Sequence, residues 1–136
     1  MEFKVDFTTY LGIYRTIMTE KLNVPTSEGR RTILSNHMPI MMSLSLGLVE
    51  TLEDDESHYY IVNNGVLYFE NNEAEIVADN VIDINEIEVE RAQTSLEKAK
   101  KNLEKAKRPN DIARAQEKYD VAKFIIDTYH EYIKQE

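Results

Sequence analysis

The chain has 136 residues, 42% of them hydrophobic and 30% charged, which is enough for one ordinary globular core with a modest appendage. It holds no Cys, which removes disulfides, thiolate metal sites and a cysteine nucleophile, and no apolar run approaches the roughly 20 residues that cross a bilayer. A formal charge of −9 speaks against a nucleic-acid binder, whose affinity rests on basic groups neutralising phosphates.

That charge is unevenly spread. Residues 1–85 carry 14 acidic and 5 basic side chains, whereas residues 86–136 carry 11 of each. Two surfaces of different character imply two tasks. The opening MEFKVDF alternates, unlike the charged-then-apolar pattern of a signal peptide, and with the lack of Cys this predicts a cytoplasmic setting.

In chain order, Phe3, Val5 and Phe7 alternate with Lys4, Asp6 and Thr8, which predicts a half-buried strand. In the next segment Ile13, Arg15 and Ile17 share one face, with Tyr14, Thr16 and Met18 on the other. Gly12, Pro25, Gly29, Pro39, Gly47 and Gly65 punctuate the region at frequent intervals. His58–Val62, Val66–Phe69 and Glu75–Ala78 are rich in β-branched and aromatic residues, and Asn63-Asn64-Gly65 predicts a tight hairpin turn between the first two. Short strands with frequent turn signals predict a sandwich or barrel.

Near Asn85 the period changes. Val89, Ala92, Leu96, Ala99, Leu103 and Ala106 keep a 3-4 spacing, and Arg108-Pro109-Asn110 interrupts it, so the first helix is expected to end near Lys107. A second stripe runs Ile112, Ala115, Tyr119, Ala122, Ile126, Tyr129 and Ile133. Asn85 and Asn110 stand where N-caps are expected, with Glu88 completing a box-like arrangement after Asn85. Glu97–Lys101 and Glu104–Arg108 are i,i+4 pairs in the favourable order. A small stripe facing a bulky one across a short Pro turn predicts an antiparallel helical hairpin. Val121, Phe124, Ile125 and Tyr132 widen the apolar face of the second helix beyond what one helical partner covers. The fold class is thus α+β: an N-terminal β-sandwich over residues 1–84, then a C-terminal antiparallel two-helix hairpin over residues 85–136.

Several motifs make this architecture specific. Thr26-Ser-Glu-Gly29, Ile33-Leu34, His37-Met-Pro-Ile40, Ser45-Leu-Gly-Leu-Val49, Ile61-Val-Asn-Asn-Gly65, Ile76-Val-Ala-Asp79 and Ile87-Glu-Val-Glu-Arg91-Ala92 fall in one order along nearly the whole chain. That ordered set resembles the epsilon subunit of rotary, F-type ATP synthases of bacteria and chloroplasts. The family reads T-x-E-G, I-L-P, G-H-x-P-L and I/L-D-x-x-R-A at the matching places. Here Asn36 replaces the glycine before the histidine, Ser35 replaces the proline, and Arg30-Arg31 occupy positions usually uncharged or glycine.

The resemblance implies a non-catalytic rotor subunit that couples ion flow to ATP synthesis and restrains hydrolysis through its helices. It implies contacts of Glu28, Gly29, Arg30, Arg31, Asn36, His37 and Pro39 with the gamma subunit and the membrane ring. It also implies contacts of Lys98, Lys100, Lys101, Lys105, Lys107 and Arg108 with the alpha and beta subunits of the catalytic ring. The expected place is peripheral, on the cytoplasmic side of the cell membrane, without insertion. Other readings are a subunit of a paralogous rotary ATPase without synthetic function and a stand-alone ATP-sensing module.

In clamp-type relatives the I/L-D-x-x-R-A motif and further arginines hold ATP. The corresponding residues here are Glu88, Arg91, Ala92 and Arg114, but Glu88 is one methylene longer than Asp. Lys98, Val121 and Ile125 stand where later clamp arginines align, and no Gly-rich phosphate loop exists. No cofactor is therefore expected. His37, His58 and His130 lack metal-ligand spacing, and no Ser/His/Asp set or carboxylate pair offers catalysis, so the chain does not read as an enzyme.

Overall fold

In a computed structural model, which describes residues 1–133, the chain divides into two units, Met1–Asp83 and Ile84–Glu136. The expected hairpin end at residues 134–136 lies outside the described residues.

Alternation organises the first unit. In β1 (Phe3–Thr9), Phe3, Val5 and Phe7 are buried and the residues between them are not. β2 (Gly12–Thr19), β3 (Lys21–Thr26), β4 (Gly29–Leu34), β5 (Ile40–Leu44), β6 (Gly47–Glu53), β7 (Glu56–Glu70) and β8 (Glu73–Asp83) complete the strands. Their hydrogen-bonded order is β2-β1-β8-β7-β6-β3-β4, with β5 also on β7. β1 pairs with β2 antiparallel and with β8 parallel.

The register slips between Phe7 and Thr8 of β1, so that Phe7 faces Arg15 and Thr8 faces Ile13. One extra residue in β2 turns every side chain before it to the other face. Ile17 is therefore buried, whereas Ile13 points outward at 66% exposure and does not share the face of Arg15 and Ile17 as expected.

β5 and β6 lie end to end along one side of β7, with Leu44 opposite Gly65 and Gly47 opposite Val62. Between those pairs β7 bends. Asn64 has a φ of 50° and is skipped in the ladder between Asn63–Asn80 and Gly65–Ala78. Asn63-Asn64-Gly65 is thus a mid-strand bend and not the expected hairpin turn. One left-handed residue redirects the backbone without changing the register. His58–Val62 and Val66–Phe69 become halves of one 15-residue strand.

Four two-residue loops close hairpins, Tyr10-Leu11, Ser27-Glu28, Asp54-Asp55 and Asn71-Asn72, and the last two are left-handed at both residues (Asp54 φ 52°, Asp55 φ 65°, Asn71 φ 54°, Asn72 φ 58°). Two consecutive left-handed residues, as at Asp54-Asp55 and Asn71-Asn72, are the type I′ geometry that matches strand twist.

The sheet closes over a core of Phe3, Val5 and Phe7, met by Leu22, Val24, Ile33, Leu67 and Phe69. The Phe3 and Phe69 rings meet edge to face at 5.3 Å, and Phe7 lies 4.5 Å from Tyr60. Thr19, fully buried, accepts from the Leu52 N–H at 2.8 Å and donates to the Lys21 carbonyl at 2.6 Å, tying the β2–β3 corner to β6.

The second unit begins with a 3-10 turn, Ile84–Glu86, and continues as α1 (Val89–Lys105), α2 (Pro109–Thr128) and a π-helical turn, Tyr129–Ile133. The first stripe is inward as expected: Ala92 and Ala99 are buried, and Val89, Leu96, Leu103 and Ala106 half-buried. On α2, Ala115, Ala122 and Ile126 are buried, while Ile112 and Ile133 at the two ends of the stripe are exposed. Alanines are thus buried on both helices, alongside Ile126 on α2, so the expected small-against-bulky contrast is only partial. Thr128, off the stripe, is also buried.

Neither expected N-cap is used. Asn85 lies in the 3-10 turn and Asn110 is already inside α2, while Glu88 and Arg108 take the cap positions without a side-chain cap bond. Pro109 explains the shift at α2. At the first helical position its missing N–H would be unpaired anyway and its fixed φ fits. Arg108 before it is held extended, and α1 ends at Lys105, slightly before Lys107.

Candidate functional site

The resemblance groups Glu28–Arg31 with Asn36–Pro39, and the structure places the two groups at opposite ends of β4. Glu28 and Gly29 form the β3–β4 turn, where the Thr26 hydroxyl donates to the Gly29 carbonyl at 2.6 Å. Arg30 leans back on β3, donating to the Asn23 side chain at 2.6 Å, and Arg31 is exposed. Asn36 to Pro39 sit in the β4–β5 connection, beyond a six-residue strand that spans roughly 20 Å.

That connection is well anchored. The Asn36 N–H donates to the Asn72 side-chain oxygen at 2.7 Å, Nδ1 of His37 bonds the Met38 carbonyl at 2.7 Å, and the His37 ring stands edge-on to Phe69 at 6.0 Å. Asn36 has a φ of 65°. Asn tolerates this left-handed geometry locally, as glycine does. Asn64 adopts the same left-handed geometry at the β7 bend.

Lys98, Lys100, Lys101, Lys105, Lys107 and Arg108 are all exposed along α1 and the loop after it. Neither expected pair, Glu97–Lys101 nor Glu104–Arg108, closes among the described residues; Arg91–Glu88 at 3.9 Å and Lys123–Asp127 at 3.1 Å do. The hydrogen bond and charge of Asp127 hold the Lys123 ammonium above its ordinary pKa.

The four residues matched to a nucleotide site are not brought together. Glu88, Arg91 and Ala92 open α1, whereas Arg114 lines a cleft with Asn102 and Lys105 at the far end of the hairpin. The 14-residue step from Arg91 to Lys105 is roughly 21 Å of helix. Among the described residues no group of three or more His, Asp or Glu could hold a metal ion.

Two features escaped the sequence. The first is an apolar strip on the outer face of the sheet. Ladder partners run Met41–Tyr68 in one row, and Val66–Val77, then Val77–Thr8 and Thr8–Ile13, in the next. Met41 is 67% exposed, Tyr68 and Val77 are exposed, and the adjoining β1–β2 loop presents Tyr10 at 87% and Leu11 at 83%. Isolated surface apolar residues need no explanation, but several gathered on one face mark a contact surface. Only the register, with its β2 slip, gathers these residues, so composition alone could not reveal them.

The second is a charged cluster around the end of β8. The Arg15 guanidinium donates to Asp83 and lies 5.3 Å and 5.7 Å from the ring centroids of Tyr14 and Tyr60. The Tyr14 hydroxyl accepts from the Asp83 N–H at 3.2 Å, and Tyr60 donates to Glu53 at 2.9 Å. The hydrogen bond to Asp83 fixes Arg15 even more firmly as a cation. Burial pushes the Tyr60 phenol up, with the Arg15 bond opposing and Glu53 reinforcing the shift.

Comparison with known proteins bears on both units. The family described as the ATP synthase delta/epsilon chain, β-sandwich domain, matches residues 2–84. The ATP synthase epsilon chain of Lactobacillus gasseri is 34% identical over 96 residues, covering 68% of this chain and 66% of that one, just under two thirds of the relative's length. The protein of Propionigenium modestum named ATP synthase epsilon chain, sodium ion specific, is 30% identical over 120 residues and 88% of each chain. Among solved structures, a chain of the Euglena gracilis mitochondrial ATP synthase superposes with a TM-score of 0.73 at 15% identity, over 93% of this chain and 80% of that one. A chain from the central stalk and c-ring of the Tetrahymena thermophila mitochondrial ATP synthase gives 0.63 at 15% identity, over 92% and 94%. With residues 2–84 matched by the family model and 88% of the chain aligned with the Propionigenium modestum protein, the chain belongs to the epsilon-chain family of F-type ATP synthases.

Proposed function

We propose that the chain is the non-catalytic central-stalk rotor subunit of its synthase, coupling ion translocation to ATP synthesis, and that its hairpin restrains ATP hydrolysis. The carrying observation is the set of exposed apolar residues Met41, Tyr68, Val77 and Ile13 gathered on the outer sheet face, with Thr8 between Val77 and Ile13. A face of this kind supports stable seating on gamma. The charged turn at Glu28–Arg31, at the other end of β4 from His37, supports a separate contact with the membrane ring.

The bases of α1 support contact with acidic surfaces of alpha and beta in the catalytic ring. That attraction is exposed to solvent and falls with salt, because the Debye length is only about 8 Å at physiological ionic strength. No helix of the described residues is long and apolar enough to cross a membrane, which fits a peripheral place on the cytoplasmic side. The reading requires no cofactor.

The test compares two altered chains in the cognate complex. Removal of residues 85–136 is expected to raise ATPase activity while alpha, beta, gamma and the ring still co-purify. Ile13→Glu with Met41→Glu is expected to lose gamma while keeping the β-sheet circular dichroism. Unchanged ATPase in the first refutes the brake, and retained gamma in the second refutes the role of the strip.

A further inference from the structure

The last strand ends in a grip that none of the contacts proposed above uses. Beyond Val77, where its ladder with β1 stops, β8 pairs among the described residues with β7 alone. Residues 78–83 are thus a singly paired strand end, the kind of segment that opens locally at low free energy. Side chains counter this at two points. Asn64, at the β7 bend, donates to the Asp79 carboxylate at 3.1 Å. At the far end β2 takes Asp83 by side chain and backbone together. Arg15 donates to the carboxylate, and the Tyr14 hydroxyl accepts from the Asp83 N–H at 3.2 Å.

Arg15 is itself braced. Its guanidinium lies 5.3 Å from the Tyr14 ring centroid and 5.7 Å from that of Tyr60, and Tyr60 is the ladder partner of Asp83. The Tyr60 hydroxyl is tied to Glu53 at 2.9 Å, which fixes the ring beside the guanidinium. Asp83 is only 8% exposed, although a carboxylate at a strand end is ordinarily left in water. The chain beyond it is built differently. Ile84–Glu86 is a single 3-10 turn, and the bond from the Ile87 N–H to the Ile84 carbonyl is long, at 3.5 Å. α1 then starts from Glu88 without a side-chain cap. A firmly held end followed by a weakly bonded turn concentrates bending in the turn, because hinges are a few residues at element ends.

We propose that Arg15 and Tyr14 form a latch that makes Asp83 the fixed end of the sandwich and confines movement of the hairpin to the joint Ile84–Glu88. With the latch open, β8 frays back toward Val77 and residues 78–83 join the tether. A longer, looser tether lowers the effective concentration of the hairpin at whatever it touches, so its action weakens although no contact residue has changed. That consequence rests on the proposed brake; the latch does not.

The test is amide NMR relaxation of the full chain, with order parameters compared between Val81–Asp83 and Ala74–Val77. Order parameters report fast local motion in the native state, which global destabilisation by itself leaves alone. In the unaltered chain both segments should lie near about 0.85, and Arg15→Met should bring Val81–Asp83 below about 0.6 while Ala74–Val77 stays rigid. Tyr14→Phe removes one acceptor and should lower Asp83 by at least about 0.1, which keeps the test decisive if Arg15→Met does not fold. Ile33→Val, which loosens the core away from the latch, should leave both segments rigid. Rigid Val81–Asp83 in the latch variants, or equal loosening in all three, overturns the latch. In the cognate complex Arg15→Met should raise ATPase activity part of the way to that of the chain lacking residues 85–136, with gamma retained. Loosened β8 without such a rise, where the shortened chain does show one, overturns control of the hairpin by the latch. No rise in the shortened chain refutes the brake instead, and the order parameters still decide the latch.

Discussion

Replacing Arg15 with Met isolates the energetic weight of the cluster at the end of β8. Methionine keeps much of the apolar length between Tyr14 and Tyr60 but removes the guanidinium from Asp83, whose side chain is only 12% exposed against 33% for Arg15. Two limits bracket the effect. An exposed pair contributes about 0.2–1 kcal/mol, while stripping one partner from a buried pair costs about 3–5 kcal/mol. Asp83 lies near the buried limit and Arg15 between the two, so the loss should be about 2–3 kcal/mol, including the two ring contacts. For a sandwich of this size that lowers Tm by roughly 10–20 °C. The decisive assay is a double-mutant cycle in urea with Arg15→Met, Asp83→Asn and both together. Asp83→Asn alone should also destabilise, and the double variant should be less damaged than the sum by about 1.5 kcal/mol or more. A coupling below about 0.5 kcal/mol would show that the contact behaves like any surface pair, and the reasoning from burial would fail.

Three further outcomes rest on the same packing. Tyr60 has a folded pKa above its unfolded value of 10; its contribution is complete below pH 10 and is lost as pH rises from there through the folded value. Stability should fall over that window by about 1.4 kcal/mol per pH unit for this one proton, and Tyr60→Phe should remove that part of the slope in alkaline urea titrations. Gly47→Ala places a Cβ 2.7 Å from the Pro25 Cβ and should destabilise the sandwich by about 1–3 kcal/mol in equilibrium denaturation. At Asn36, φ 65°, Gly should be tolerated within about 0.5 kcal/mol, whereas Val should cost about 1–2 kcal/mol by thermal melting.

The helical period is legible in the sequence because burial follows it residue by residue: Ala92, Ala99, Ala115 and Ala122 sit inward where the spacing puts them. Strand alternation is equally clear in β1. Local backbone signals are ambiguous. Asn63-Asn64-Gly65 and Asn71-Asn72 carry the same left-handed preference, and only pairing partners distinguish a bend inside a strand from a reversal between strands. Asp54-Asp55 hides its turn because its acidity reads first as charge. Asn85 and Asn110 have the chemistry of caps, but Pro109 fixes where α2 starts and a 3-10 turn occupies Asn85. The site is less legible still. Family motifs identify residues without their separation, and so they join Arg114 to Arg91 across roughly 21 Å of helix. Arg15 and Asp83 lie 68 positions apart in the chain, and no local pattern connects them.

The parallel pairing of β1 with β8 also fixes the order in which the protein can be made. Lys4 meets Glu73 and Thr8 meets Val77, so the first strand leaves the ribosome long before its central neighbour exists. At about 5–20 residues per second that wait is roughly 4–14 s. Meanwhile Phe3, Val5 and Phe7 have only the β2 hairpin to shield them, and a lone hairpin is marginal in water. Chaperone capture of this nascent hairpin, and slow refolding of the sandwich in vitro, are natural results of such distant strand partners.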